Sequence, residues 1–231
     1  LDYVLEEALL SGIRDVILII NPRQEKYFQS YLGERSGLFR SLSFHFAYQS
    51  EPLGNGHAIL QARSMVRNEP FAVRFCDDLI FSEKPALKSL IEFYKKYHAP
   101  VILLERVPEE KISRFGVVAV KRIERKSAML PKGRLYRITG IVEKPKIEQA
   151  PSDLTIVGGY ILTPSIMRNL EKIADSLPHP GHDALPLTVA MQVEFIVRGK
   201  VYGWEFVGKR LDCGTLESLR QAEEFLIRHH S

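Results

Sequence analysis

The chain has 231 residues, 45% of them hydrophobic and 26% charged, with 32 Lys and Arg against 28 Asp and Glu. That composition excludes a disordered tail, a collagen-like repeat and a disulfide miniprotein, and a chain of this length can bury enough surface to fold without a metal or disulfide. The net charge of +4 fits a mixed solvated surface or a preference for anionic ligands; no long basic block points to nucleic acid, since the run from Lys121 to Lys126 is short and interrupted by Glu124.

Leu1, Val4, Leu5, Ala8 and Leu9 recur at helical spacing, and Ser11-Gly12 closes that helix. The chain thus opens inside a helix with no signal-peptide pattern, and further sequence is expected upstream of Leu1 in the natural protein or in its relatives. Asp15 to Ile20, closed by Asn21-Pro22, reads as a strand buried on both faces, the kind found in parallel sheets covered by helices. A helix over 24–31, a strand over 43–49, a Gly-rich turn over 52–56 and a helix over 57–65 follow. Next come a strand over 70–75, a helix over 86–97 with Leu87, Leu90, Ile91 and Tyr94 on one stripe, and a strand over 100–105. This alternation predicts a layered α/β fold. From 116 to 160 the texture changes to strands over 117–120, 135–138, 141–144 and 156–161, part of them an antiparallel ribbon beside the main sheet. A helix over 164–173, a loop over 177–187, a helix over 188–198, a strand over 201–207 and a final helix over 215–229, N-capped by Thr215, complete the chain. No repeat or linker interrupts it, so residues 1–231 read as one domain. No apolar run approaches the ~18–20 residues of a membrane span, and no membrane association is expected. Cys76 and Cys213 lack zinc-ligand spacing and fit a reducing compartment.

Four constellations carry chemistry. Gln49 to Ala58 places Gly54 and Gly56 between a strand and a helix, where a backbone can approach a ligand and helix N–H groups are unpaired. The Gln49 amide offers a donor and an acceptor to a base edge, although a plain turn reads the same way. Asp77-Asp78 closes a strand, where a carboxylate can hold Mg²⁺; two turn aspartates are the alternative. Glu143-Lys144-Pro145 sets an acceptor beside a cation, their side chains on opposite faces of a strand unless it bends; a solvated strand end is the alternative. Asp212, in Leu211-Asp212-Cys213-Gly214, is either a second metal ligand or an Asx turn. Cys213 has an acidic neighbour and is assigned no nucleophilic role.

In this order the motifs resemble the bacterial UTP–glucose-1-phosphate uridylyltransferases, among the sugar-nucleotide pyrophosphorylases. The resemblance rests on Gly54-Asn55-Gly56-His57-Ala58, Cys76-Asp77-Asp78, Phe115-Gly116-Val117-Val118, Val142-Glu143-Lys144-Pro145, Ala150-Pro151-Ser152, Val157-Gly158-Gly159-Tyr160 and Leu211-Asp212-Cys213-Gly214, and covers essentially the whole chain. The ending over 227–230 is similar too. The resemblance implies a Rossmann-like nucleotidyltransferase with a mostly parallel central sheet, working in the cytoplasm on UTP and glucose 1-phosphate. It implies that Gln49 reads the uracil edge with Gly54 and Gly56 close to the base. Asp77 and Asp212 would bind Mg²⁺, with Asp77 and Lys144 serving catalysis and Lys144 meeting the phosphates. Gly116, Glu143, Gly158 and Gly159 would line the sugar. The family often forms dimers or tetramers, and 113–144 is the candidate interface for such a homo-oligomer here.

Two departures stand out. The family opens with a strand and a G-x-G-T-R loop followed by a lysine-containing segment, and Leu1 corresponds to a position just beyond them. Without them a gap in the sheet is expected and Lys144 alone remains of the cationic set, so very poor turnover is expected of this chain. A catalytically impaired nucleotide or sugar-nucleotide binder is therefore the second reading. In the segment from Gly181 to Val189, Pro186 and Val189 stand where the family has Gln and Asp, and Asp183 is the candidate for its acidic residue. That segment bears on which sugar is taken.

Overall fold

The computed structural model describes residues 1–124, 130–179 and 183–229. Arg125 and Lys126 of the basic run, Gly181 and His182 of the divergent segment, and His230 lie outside the described residues. The opening apolar stripe forms α1 (Asp2–Leu10), followed by β1 (Asp15–Ile20), α2 (Glu25–Glu34) and β2 (Ser43–Tyr48). Next come α3 (Asn55–Gln61), α4 (Arg63–Val66), β3 (Phe71–Arg74), β4 (Asp78–Ser82), α5 (Ala86–Tyr97) and β5 (Val101–Arg106). The second half runs β6 (Gly116–Ile123), β7 (Arg134–Glu143), β8 (Leu154–Leu162), α6 (Pro164–Ser176), α7 (Leu187–Arg198), β9 (Tyr202–Glu205), β10 (Gly208–Asp212) and α8 (Leu216–His229).

The central sheet has the order β3-β8-β5-β9-β7-β6, and β6 also pairs with β8 at Val117 and Thr155, so the sheet closes on itself like a barrel. The α/β character holds, but the mostly parallel central sheet is corrected to a mixed one. Its parallel pairing is β5 with β9, whereas β8 runs antiparallel to β3, β5 and β6. The misleading signal was the apolar run itself, which reports burial on both faces and not strand direction. All nine residues of β8 are buried between neighbours that run against it.

Helices cover both faces. Ile102 and Leu104 of β5 enter the core built with α3, α6 and α7, while Val101 and Leu103 enter the core built with α1 and α5. All four are 0% exposed, and each contributes roughly 1.5–3 kcal/mol by burial. β1 and β2 form a separate parallel pair, from Asp15 beside Ser43 to Ile20 beside Tyr48. No described strand pairs with the other edge of β1 or with the free edge of β3. Instead α1 spans the interval. Its Leu5 packs with Phe39, Leu42 and Val16, its Ala8 packs with α5, and its Glu7 pairs with Arg74 of β3. Val16 to Ile19 are accordingly half-buried, although the sequence reads as a fully buried strand.

Other boundaries differ locally. The helix expected over 57–65 begins at Asn55 and breaks at Ala62. β4 was not expected, because Asp77-Asp78 reads as a turn; its five residues pair antiparallel with β10. The strands expected over 135–138 and 141–144 are one strand, β7, belonging to the closed sheet and not standing beside it. The strand expected over 201–207 is the shorter β9. Thr215 does cap α8, its Oγ1 accepting the Ser218 N–H at 3.1 Å. No helix of the described residues is long and apolar enough to cross a membrane.

Candidate functional site

The β4–β10 ladder sets Asp78 opposite Asp212. Arg210 lies two residues before Asp212, hence on the same strand face. Its Nε donates to Asp78 Oδ1 at 2.6 Å, and its Nη atoms reach Glu105 Oε2 at 3.2 Å and Asp212 Oδ2 at 3.5 Å. The guanidinium also sits over the Phe115 ring, 5.2 Å from its centre. The other Asp78 oxygen accepts the Gly158 N–H at 2.7 Å. Burial opposes the Arg210 charge, but Asp78, Glu105 and Asp212 outweigh it and hold its pKa above the ordinary arginine value.

Asp77 precedes this ladder. Its backbone carbonyl accepts the Cys213 N–H at 2.7 Å, tying the aspartate turn to 211–214. A Cβ placed on Gly214 would lie 3.2 Å from both Asp77 Oδ2 and Asp212 Oδ1, so the two carboxylates converge on a space that a side chain there would fill. Asp212 Oδ1 also accepts the Gly214 N–H at 2.9 Å, so the Asx turn and the convergence coexist. Partial burial, then repulsion from Asp78, pushes the Asp77 carboxyl above the ordinary aspartate value, and Asp212 adds to it. Two converging carboxylates without further protein ligands suit a divalent ion that keeps several waters. Among the described residues no group of three or more His, Cys, Asp or Glu could hold a metal ion. Both cysteines are free, and burial raises both thiols.

The sugar candidates adjoin this cluster. Tyr160 is buried, and burial, then the charges of Asp78 and Glu143, push its phenol well above the ordinary value. A Cβ on Gly158 would meet Phe75 Cβ at 2.6 Å and Asp78 Oδ2 at 2.7 Å; one on Gly159 would meet Arg74 Nη1 and Leu103 Cδ2 at 3.0 Å each. These glycines therefore serve the protein's own packing, on opposite faces of β8. Gly116 pairs with Glu143 across β6 and β7, and its Cβ would stand 3.2 Å from both Glu143 Oε2 and Thr188 Cγ2. β7 ends at Glu143, and Lys144 turns into the left-handed region at φ 44°, so the chain bends between them. The Lys144 side chain has no hydrogen-bond or ion-pair partner among the described residues.

Gln49 follows β2. Its Nε2 donates to Gly54 O at 3.1 Å and stands 2.9 Å from His57 Nδ1. Gly54 has φ 95°, a conformation that favours glycine. Gly56 is buried against protein: a Cβ there would lie 2.6 Å from Leu185 O and 2.9 Å from Leu170 Cδ2. The divergent segment is bonded onto this turn. Leu185 N–H donates to Leu53 O at 2.7 Å, His57 N–H to Leu185 O at 3.1 Å, and Leu187 N–H to Asn55 Oδ1 at 2.8 Å. Asp183 instead closes its own loop, accepting the His179 N–H at 2.9 Å.

Two groups of predicted residues thus emerge, Gln49 with Gly54 and Gly56, and Asp77 with Asp212, Gly158 and Glu143. The strand of contacts through Leu185, Leu187 and Thr188 to Gly116 joins them. Sequence reasoning missed Arg210, Arg74, Glu105, Tyr160 and His57. The two-residue spacing of Arg210 and Asp212 on a strand was the available signal for the first. Arg74 donates to Glu7 at 2.8 Å, to Gly158 O at 2.6 Å and to Asp78 O at 2.8 Å. An open cavity of about 550 Å³, lined by His98, Arg168, Glu194 and Arg198 among others, shares none of these residues. Arg198 and Lys200 of that cavity lie at the C-terminus of α7, which they complement electrostatically.

Residues 1–229 match the family model described as nucleotidyl transferase. The UTP–glucose-1-phosphate uridylyltransferase 2 of Streptococcus pyogenes serotype M3 is 37% identical over 251 residues, covering 99% of this chain and 80% of that protein. Among solved structures, a UDP-glucose pyrophosphorylase complexed with UDP-glucose aligns with a TM-score of 0.84 at 28% identity, covering 98% of this chain and 85% of that one. A UTP-bound UGPase from Acinetobacter baumannii aligns with a TM-score of 0.74 at 27% identity, covering 99% and 82%.

Proposed function

The chain belongs to the nucleotidyl transferase family, and from that membership we propose that it joins UTP and glucose 1-phosphate into UDP-glucose and pyrophosphate. An oxygen of the sugar phosphate attacks the α-phosphorus of UTP in line, the bond from that phosphorus to the bridging oxygen breaks, and pyrophosphate leaves. In such a transfer the protein mainly positions reactants and screens charge.

The residue roles are those that the family resemblance implies. Gln49 meets the uracil edge, with the Gly54 turn beneath the base and Gly56 letting α3 approach the 185–187 segment. Gly116 and Glu143 border the sugar, Glu143 as hydroxyl acceptor; Gly158 and Gly159, whose Cβ positions the protein's own side chains claim, would meet it only through their backbone. Lys144, without a side-chain partner among the described residues and just past the end of β7, meets the phosphates. Asp77 and Asp212 would hold Mg²⁺, which when bound supplies charge screening for the phosphates. The whole chain acts as one domain, in the reducing cytoplasm that two free cysteines suit.

The observation that carries this reading is the convergence of Asp77 and Asp212 at Gly214. Calorimetric titration with UTP, with and without Mg²⁺, tests it on the parent chain and on Asp77→Ala. Mg²⁺-dependent binding that weakens at least about tenfold in the variant supports the site. Equal affinity and equal Mg²⁺ dependence in both chains would refute it. Release of pyrophosphate on adding glucose 1-phosphate then separates turnover from binding alone.

A further inference from the structure

We propose that His57 is a positioning residue that fixes the direction of the Gln49 amide and thereby makes the base site accept a pyrimidine carrying a proton on N3 and reject one without it. The inference rests on Gln49 as the group that meets the base. Gly54 O is a backbone carbonyl and can only accept, so the Gln49 group 3.1 Å away is the NH₂. The second amide proton faces His57 Nδ1 at 2.9 Å, which accepts it when the ring proton is on Nε2. Both donors of the amide thus end on protein atoms. Oε1 takes no hydrogen bond among the described residues, and it is the part of the amide left for a ligand.

An acceptor is complementary to the N3–H of uracil or thymine. Cytosine has a lone pair at N3, which the same oxygen repels. Rotating the amide to suit cytosine would turn Oε1 toward Gly54 O and His57 Nδ1, setting acceptors against acceptors. His57 is itself held in place. It is the third residue of α3, and its N–H donates to Leu185 O at 3.1 Å. With the ring proton on Nε2, the Gln61 amide 3.2 Å away accepts it by turning its oxygen there, giving up the donation from that amide to His57 O at 3.3 Å. The discrimination therefore comes from a residue that need not touch the base.

Calorimetric titration with UTP and with CTP, both in Mg²⁺, reads the effect as a ratio of affinities. The parent chain is expected to prefer UTP by about tenfold or more. His57→Ala frees the amide to rotate, and the ratio should fall about fivefold or more, UTP weakening while CTP improves. His57→Asn keeps an acceptor near the position of Nδ1 and should retain most of the preference. Gln49→Leu should abolish it. Equal weakening of both nucleotides in His57→Ala, as a folding defect would give, or an unchanged ratio, overturns the role of His57. If Gln49→Leu leaves the ratio intact, or the parent chain binds neither nucleotide, the base reading of Gln49 fails and the proposal fails with it. A ratio lost in Gln49→Leu but kept in His57→Ala leaves the base reading standing and removes only the positioning role.

Discussion

Replacing Arg210 with Met removes the cation bonded to Asp78, Glu105 and Asp212 while keeping most of its apolar stem. Asp78 and Arg210 are each 9% exposed and meet at 2.6 Å. After the change Asp78 keeps only the Gly158 N–H of these two partners. Breaking a buried ion pair by removing one member costs about 3–5 kcal/mol, because the other charge is left uncompensated. Glu105 and Asp212, at 27% and 31% exposure, are better solvated, and each adds at most about 1 kcal/mol. The Asp78 contribution therefore dominates, and about 3–5 kcal/mol is the expected loss. For a domain of this size that lowers the melting temperature by about 6–20 °C. The double variant Asp78→Asn with Arg210→Met leaves no stranded charge at the buried Asp78 position, and the amide oxygen can still accept from Gly158. It should unfold within about 1–2 kcal/mol of the parent, giving a coupling well above 1 kcal/mol. Urea unfolding by linear extrapolation measures all four chains of the cycle. A loss under about 1 kcal/mol in Arg210→Met, or additive single effects, would refute the reasoning.

Gly56→Ala places a Cβ 2.6 Å from a backbone oxygen that cannot swing aside, and should cost about 1–3 kcal/mol in the same urea assay. The Asp77 carboxyl titrates above its ordinary 3.8 because of burial and Asp78. Protons should therefore compete with a divalent ion at higher pH than at a free aspartate, Mn²⁺ affinity falling as pH drops through the raised value; Asp77→Asn should remove that dependence. In the metal-free chain the sign for stability is opposite, since the raised pKa favours the folded state at low pH and that gain is lost as pH rises from 3.8 through the raised value. Burial and the Asp2 carboxylate push the Tyr31 phenol up to about 12, so its stabilising contribution should be complete below pH 10 and disappear toward pH 12. Comparing unfolding midpoints of the parent and Tyr31→Phe across that window checks it.

Much of the layering was legible because apolar runs and stripes such as Val101–Leu104 and Leu87–Tyr94 report burial directly. Strand direction was not, since an apolar run reports burial on both faces and not which way its neighbours run. Asp77 and Asp212 could be singled out separately, yet the strand that aligns their neighbourhood, β4, looked like a continuation of a turn. Glycine was the other blind spot. Gly56, Gly158 and Gly159 mark places where no Cβ fits, but a sequence does not say whether a ligand or the protein's own Leu185, Phe75 and Leu103 claims the room. Arg210 was passed over because ordinary charges are mostly solvated, and only a third dimension brings Glu105 and Asp78 to it.

Among the described strands β1 and β2 pair only with each other, which has a consequence for dynamics. Gln49 extends from β2, and that small sheet is attached to the rest by side-chain packing through α1 and α3 rather than by a shared ladder of strand hydrogen bonds. Its amides should exchange with solvent deuterium through local openings well below the free energy needed to expose β5 or β8. The end of the molecule that carries Gln49 is then softer than the closed sheet.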